Sequence, residues 1–202
     1  MDNDRLVNIL RQRSSGILLP LFSLPGPLGI GDLGEAARDF IDFLHRAGQS
    51  AWQILPLGPT SPVFGDSPYM SFSTFAGNPL FISPEMLVRD GLLPADRVEA
   101  AGFSEYAVDY PRVTAVREGL LRAAWAVFRA RPQAADILAK FRADHPWAAG
   151  HGLFLALKQQ FAGAPWYRWP EPLRHRQETA LAEARTELAD EIDYFVFEQY
   201  LF

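Results

Sequence analysis

No cysteine occurs in the 202 residues, which excludes disulfides, thiolate nucleophiles and cysteine-rich metal sites. Histidine is almost as sparse. His45, His145, His151 and His175 are scattered and fall in no H-E-x-x-H or other ligating spacing, so no metal centre is expected. An excess of basic residues is missing too. Nineteen Lys and Arg against 24 Asp and Glu leave a net charge of −5, which removes the attraction that nucleic acid and anionic lipid draw on; neither is expected as a partner. No apolar run approaches the roughly 20 residues of a membrane helix, and MDNDRLVNILRQRSS has no apolar signal-peptide core. A soluble cytoplasmic protein is therefore expected. P-loops, nucleophile elbows, calcium loops, internal repeats and low-complexity tracts are likewise missing.

The composition, 49% hydrophobic and 13% aromatic, supports one sizeable core with an appended piece. Residues 16–22 (GILLPLF) form an apolar run of strand length. A turn-rich loop follows, and Asp32 with Glu35 has the spacing of a capping box opening a helix. Leu33, Ala36, Ala37, Phe40, Ile41 and Leu44 recur at helical spacing until Gly48. A second apolar strand is expected over 51–57, parallel to the first with a right-handed crossover. Leu80-Phe81-Ile82 reads as a further short strand. Helices are then expected from Ser83-Pro84-Glu85 to Asp90-Gly91, over 111–131, 133–143 and 147–162, and as one long helix from about Leu173 to the end. Residues 164–172 form an aromatic loop. The final ten residues, DYFVFEQYLF, are apolar nearly all round, which requires a larger core. The chain is thus expected to stop mid-helix, as part of a longer protein.

Residues 58–79, GPTSPVFGDSPYMSFSTFAGNP, carry the clearest functional signal. The segment is too rich in Gly, Pro and Ser for regular structure and too rich in aromatics for disorder. Long ordered loops are usually functional. Asp66 and Ser67 suit a side-chain-stabilised turn that Pro68 stiffens. Tyr69 then presents an apolar face with a polar tip, which fits a sugar ring; loop packing is the competing role. Phe72 and Phe75 are expected to pin the loop to the core.

A second motif, Gly29-Ile-Gly31-Asp-Leu-Gly34, has dinucleotide spacing. Asp32 would place a carboxylate where pyrophosphate needs a bare helix N-terminus. The preceding loop is long, and the second strand ends without an acid for a ribose, so a structural turn is expected. Glu178, Glu183, Glu187 and Glu191, among Arg174, Arg176 and Arg185, read as a solvated helix face.

At these residues the chain resembles a known family. LPLFSLPGPLGIGDLGEAARDFIDFLHRAGQSAWQILPLGPT, GDSPYMSFSTFAGNPLFI, WYRWPEPLRHR and EIDYFVFEQYLF are similar to the amylomaltases, the 4-α-glucanotransferases or disproportionating enzymes of the α-amylase-like clan. The resemblance runs from about Ser15 to Phe202 and is most specific in the loop. It implies an α/β fold, a partial β/α barrel of the first strand–helix–strand units with a mainly helical inserted subdomain. Residues 1–82 would begin the barrel and carry the substrate loop, 83–172 would form the insertion, and 173–202 would return to the barrel. Barrel sites lie at the C-terminal ends of strands, so the loop would lie on the catalytic face. The family's stacking tyrosine in S-P-Y-x-S-F-S maps to Tyr69, and the resemblance implies that Tyr69, Ser67 and Asp66 bind the substrate. A ring of a second glucan groove, tyrosine in some members, maps to Phe64, without the hydroxyl.

Family members are much longer, and their nucleophilic Asp, acid/base Glu and stabilising Asp follow the point where this chain ends. No catalytic residue is therefore expected in it. The implied reaction is retaining transfer of α-1,4-glucan segments, through a carboxylate pair about 5 Å apart. Maltooligosaccharides and amylose would be the partners, with no metal or organic cofactor; the oligomeric state is open. The alternatives are a non-catalytic or vestigial sugar-binding piece, and a dinucleotide-binding protein through Gly29, Gly31 and Gly34.

Overall fold

Pro20 limits the first strand. In the computed structural model, which describes residues 13–98 and 102–202, β1 is Gly16–Leu18 and β2 is Ala51–Gln53. They pair in parallel, with Ile17 opposite Trp52. Both strands are shorter than the sequence predicts. Pro20 has no N–H to continue the ladder, and the chain turns into a 3-10 segment at Leu21–Ser23. The last ladder-type bond runs from the Leu19 N–H to the Gln53 carbonyl at 3.0 Å. The Trp52 indole N–H, 2.8 Å from the Leu19 carbonyl, closes this end.

Helix α1 (Glu35–Arg46) joins the strands and ends before Gly48, whose φ is +68°. The expected capping box is absent. Gly34 occupies the cap position, and the Asp32 carboxylate is buried instead. Its Oδ1 accepts the Gly34 N–H at 2.9 Å, and its Oδ2 meets Arg117. The expected strand at 80–82 is a 3-10 turn, Pro79–Phe81, because the Asn78 side chain accepts the Leu80 N–H and curls the chain.

Helix α2 (Pro84–Arg89) begins with Pro84 in its first turn, as expected, although Ser83 makes no side-chain cap bond. Next come α3 (Tyr110–Arg129), α4 (Ala134–Asp144) and α5 (Trp147–Gln160), all within two residues of the expected bounds. The single long helix expected after Leu173 is three pieces, α6 (Glu171–Arg174), α7 (Glu178–Glu187) and α8 (Ala189–Leu201). Arg176, at φ +54°, breaks the first junction, and Leu188 leaves helical geometry at the second.

Helix α8 is not bare. It packs chiefly on α5 and also meets α3, α4 and α7. Gly152 of α5 permits the approach, since a Cβ there would lie 2.9 Å from the Ile192 carbonyl oxygen. Tyr194, Val196 and Phe197 of α8 are buried with Trp125, Phe128 and Leu138 in the larger core. Tyr200 and Phe202 remain partly exposed. Glu191, expected on a solvated face, instead receives both Arg122 amino groups, at 3.1 and 2.8 Å. A second, smaller core gathers Leu21, Leu24, Ile30, Ala37, Leu80 and Phe81, with Val113 of α3.

Candidate functional site

The loop after β2 is closed at its neck. The Asn78 N–H donates to the Leu57 carbonyl at 2.8 Å, so the chain returns to where it left. Inside, serines replace the missing regular structure. Ser61 Oγ accepts from Val63 N–H, and the Ser61 carbonyl accepts from Phe64 and Asp66 N–H. Ser67 Oγ supports the Tyr69 N–H at 3.4 Å. Ser73 Oγ accepts from Phe75 and Ala76, and Ser71 Oγ donates to the Ser73 carbonyl. Gly65 and Asp66, both at positive φ, make the tightest bend. Local side-chain bonds of this kind hold a loop that has no ladder.

This loop walls a cavity of about 500 Å³. Tyr69, Ser71, Phe75 and Gly77 line it from the loop, Leu57 from the segment after β2, and Phe202 from the end of α8. Tyr69 is 70% exposed, so its ring is not a packing anchor. Phe72 is 42% exposed and is held by two rings of α5. It stacks on His151 at 6.3 Å and tilts against Phe154. Burial pushes the His151 pKa down to about 4, so the ring is neutral and stacks as an ordinary aromatic. Phe75, expected to do the same, is 71% exposed and lines the cavity, braced by Trp147 at 6.2 Å.

The other expected site residues lie elsewhere. Ser67 supports Tyr69 from below, and neither Ser67, Asp66 nor Phe64 lines the cavity. The Asp66 charge is felt by Tyr110, whose pKa is raised by burial and then by that carboxylate. Phe64 is about half exposed. Sequence reasoning missed Phe202, Gln199 and Gly77. The Gln199 carboxamide clasps Gly77, accepting its N–H at 2.8 Å and donating to its carbonyl at 3.1 Å.

Among the described residues, no Asp or Glu lines the cavity and no three potential metal ligands cluster. The neutral, ring-bearing wall suits stacking and hydrogen bonding but carries no acid–base pair. The Gly29–Gly34 segment is built for packing. A Cβ on Gly31 would lie 2.2 Å from the Leu21 carbonyl oxygen, and one on Gly34 would strike Ser83 Oγ. The amide that would greet a phosphate, Gly34 N–H, is taken by Asp32. Gly29 lines a broader hollow of about 910 Å³, whose described lining includes no Lys or Arg.

Fold and site together define an α/β protein whose second strand leads into an aromatic loop walling a neutral cavity. The chain belongs to the 4-alpha-glucanotransferases: the model of that family, glycoside hydrolase family 77, matches residues 19–202. It is 46% identical over 193 residues to a 4-alpha-glucanotransferase of Thermus thermophilus, covering 94% of this chain and 38% of that protein. Identity to a 4-alpha-glucanotransferase of Streptococcus pneumoniae is 42% over 197 residues, covering 96% and 38%. Its fold matches the amylomaltase from Streptococcus agalactiae in complex with acarbose with a TM-score of 0.89 at 37% identity, covering 95% of this chain and 39% of that one. The chain thus spans about two fifths of the length of these relatives. No helix among the described residues is long and apolar enough to cross a membrane.

Proposed function

We propose that this chain is the N-terminal part of a cytoplasmic 4-α-glucanotransferase and supplies one wall of its glucan site. Residues 1–82 begin a β/α barrel, 83–172 form a helical insertion, and 173–202 return to the barrel. The observation that carries the reading is the Tyr69 ring, exposed on the cavity at the carboxyl side of β2, where barrel enzymes bind substrate. Tyr69 stacks on the sugar ring at the cleaved bond, and Ser67 and Asp66 fix the turn that aims it. Phe64 and Asp66 lie off this cavity, which supports a separate glucan groove at Phe64. The complex of the Streptococcus agalactiae relative with acarbose supports α-glucans as ligands.

The transfer itself is a double displacement. A carboxylate attacks the anomeric carbon as a second carboxyl protonates the leaving oxygen, and a glucan hydroxyl then takes the glycosyl group. A cavity lined without Asp or Glu supports placing that pair outside this chain. The same observation favours a second reading, sugar binding without catalysis by the 202 residues alone. The test is calorimetric titration of the chain with maltotriose and, separately, with NAD, together with product analysis of maltotriose incubations. Binding of maltotriose that Tyr69→Ala abolishes, with no NAD binding and no glucose or longer glucans formed, is expected. Binding of NAD, or maltotriose binding indifferent to Tyr69, overturns the site; formation of glucose by the purified chain overturns the absence of a catalytic pair.

A further inference from the structure

The loop that carries Tyr69 is fixed at two adjacent residues where it returns, Gly77 and Asn78, and the two fixings differ in kind. One is local: Asn78 N–H to the Leu57 carbonyl. The other spans 122 residues, where Gln199 of α8 makes a two-point clasp on the peptide groups of Gly77. Both Gly77 and Gln199 are buried at this contact, and Gln199 is only 6% exposed. The clasp uses one donor and one acceptor of the carboxamide against one donor and one acceptor of a single residue, so it fixes orientation as well as distance. Gly77 itself lines the cavity, and so does Phe202, three residues beyond Gln199. The Phe202 ring lies so close over Gly77 that a Cβ there would meet it at 2.2 Å. A helix end, a glycine and the loop wall therefore form one unit.

We propose that Gln199 is a positioning residue for ligand binding in the cavity: it holds the Phe75–Gly77 side of the loop against α8 and sets the gap between Phe202 and the Tyr69 wall. This rests on the reading of the cavity as a glucan site. Gln199 does not line the cavity, so it acts through Gly77 and not on the ligand. Helix α8 is rigid because it is packed into the larger core, and it lends that rigidity to a loop whose own bonds are short-range. A site held on a packed element keeps its geometry better than one held by loop bonds alone. The clasp also satisfies both Gly77 polar groups, which burial would otherwise leave without partners.

The experiment uses the 202-residue chain labelled with ¹⁵N-glycine. Gly77 amide exchange, maltotriose affinity and thermal midpoint are read for the parent and for Gln199→Met, which keeps the volume and removes both bonds. Expected are faster exchange at Gly77 and affinity weaker by about tenfold, the scale of one or two neutral hydrogen bonds lost. Phe202→Ala, a partly exposed position that threatens folding little, should weaken maltotriose binding while leaving Gly77 exchange slow. Unchanged Gly77 exchange in Gln199→Met overturns the clasp. Faster exchange with parental affinity shows the clasp to be structural only and overturns the positioning role. A parent that binds no maltotriose overturns the glucan reading itself, a result distinct from a variant that binds as the parent does.

Discussion

Asp32 and Arg117, 85 residues apart in sequence, form a buried ion pair at 2.8 Å with side-chain exposures of 9% and 2%. Arg117 also donates to the Ile82 carbonyl at 2.9 Å, and Asp32 accepts the Gly34 N–H. One guanidinium thus ties the turn before α1, the 3-10 turn at Pro79–Phe81 and helix α3. Burial lowers the Arg117 pKa, and the Asp32 charge and hydrogen bond offset this only in part. The satisfaction is incomplete: Arg117 Nε and the neighbouring Ser83 Oγ have no partner.

Breaking this pair from one side should be costly. Asp32→Asn strands a buried cation, and a loss of about 3–5 kcal/mol is expected. The double variant Asp32→Asn with Arg117→Met should lose less than the sum of the single variants, because no charge remains unpaired. Urea unfolding of the four proteins checks this. Additive losses would show that the two side chains are not energetically coupled.

The parallel strand pair, helices α3 to α5 and the loop after β2 are legible in the sequence because their signals are local: apolar runs, helical periodicity, and a density of Gly, Pro and Ser with four rings. The Asp32–Arg117 pair and the Gln199–Gly77 clasp are not, because each joins residues far apart and neither end is marked by spacing. Asp32, three residues before Glu35, even imitates a cap. The sequence overstates the length of the C-terminal helix for a related reason. Its composition runs on through Arg176 and Leu188, while the breaks there are set by backbone geometry that composition does not record. Phe75 shows the same limit inside the loop. An aromatic in a Ser-rich stretch carries no sign of whether it packs on rings of α5, as Phe72 does, or lines the cavity.

Phe72 and Tyr69 should therefore separate stability from binding. Tyr69→Ala removes a mostly exposed ring and is expected to change stability by no more than about 0.5 kcal/mol, while maltotriose binding is lost. Phe72→Ala removes the ring stacked on His151 and Phe154 and should cost about 1–2 kcal/mol. Thermal unfolding and maltotriose titration on the same preparations supply both readings. A Tyr69→Ala chain destabilised as much as Phe72→Ala would return Tyr69 to loop packing.

Buried Glu198 and half-buried His151 should tilt the pH profile in opposite directions. Burial pushes Glu198 up to about 7. Between roughly pH 4.5 and 7 the native state holds a proton that the unfolded chain releases, so its contribution falls as pH rises, by up to about 3 kcal/mol. Burial pushes His151 down to about 4. Between roughly pH 4 and 6.5 the unfolded chain binds a proton that the native state refuses, so this contribution rises with pH. Glu198→Gln should leave a profile that climbs more steeply than the parent from pH 4.5 to 6.5, and His151→Phe one that climbs less or falls. Denaturant midpoints at half-unit pH steps test it. Parallel profiles for parent and variants would show that neither group changes its protonation on folding.

Among the described residues β1 pairs only with β2, so each strand offers an unpaired edge. Ile17 and Leu18 on β1 are 41% and 57% exposed, and Ile41 and Phe43 on α1 are each 53% exposed. Unpaired edges beside exposed apolar side chains invite association between copies. The helical end of the molecule does not share this weakness, because α8 is buried by α3, α4 and α5. The 202-residue chain should therefore self-associate through the sheet and α1, with its helical core intact. Light scattering after size exclusion should show mass rising with concentration, and Leu18→Lys with Phe43→Lys should return it to a monomer with unchanged helical circular dichroism. A parent that stays monomeric at every concentration would show that these edges are protected. Association that persists in the double variant would move the contact to another surface, such as the exposed rings around the cavity, Tyr69 and Phe75.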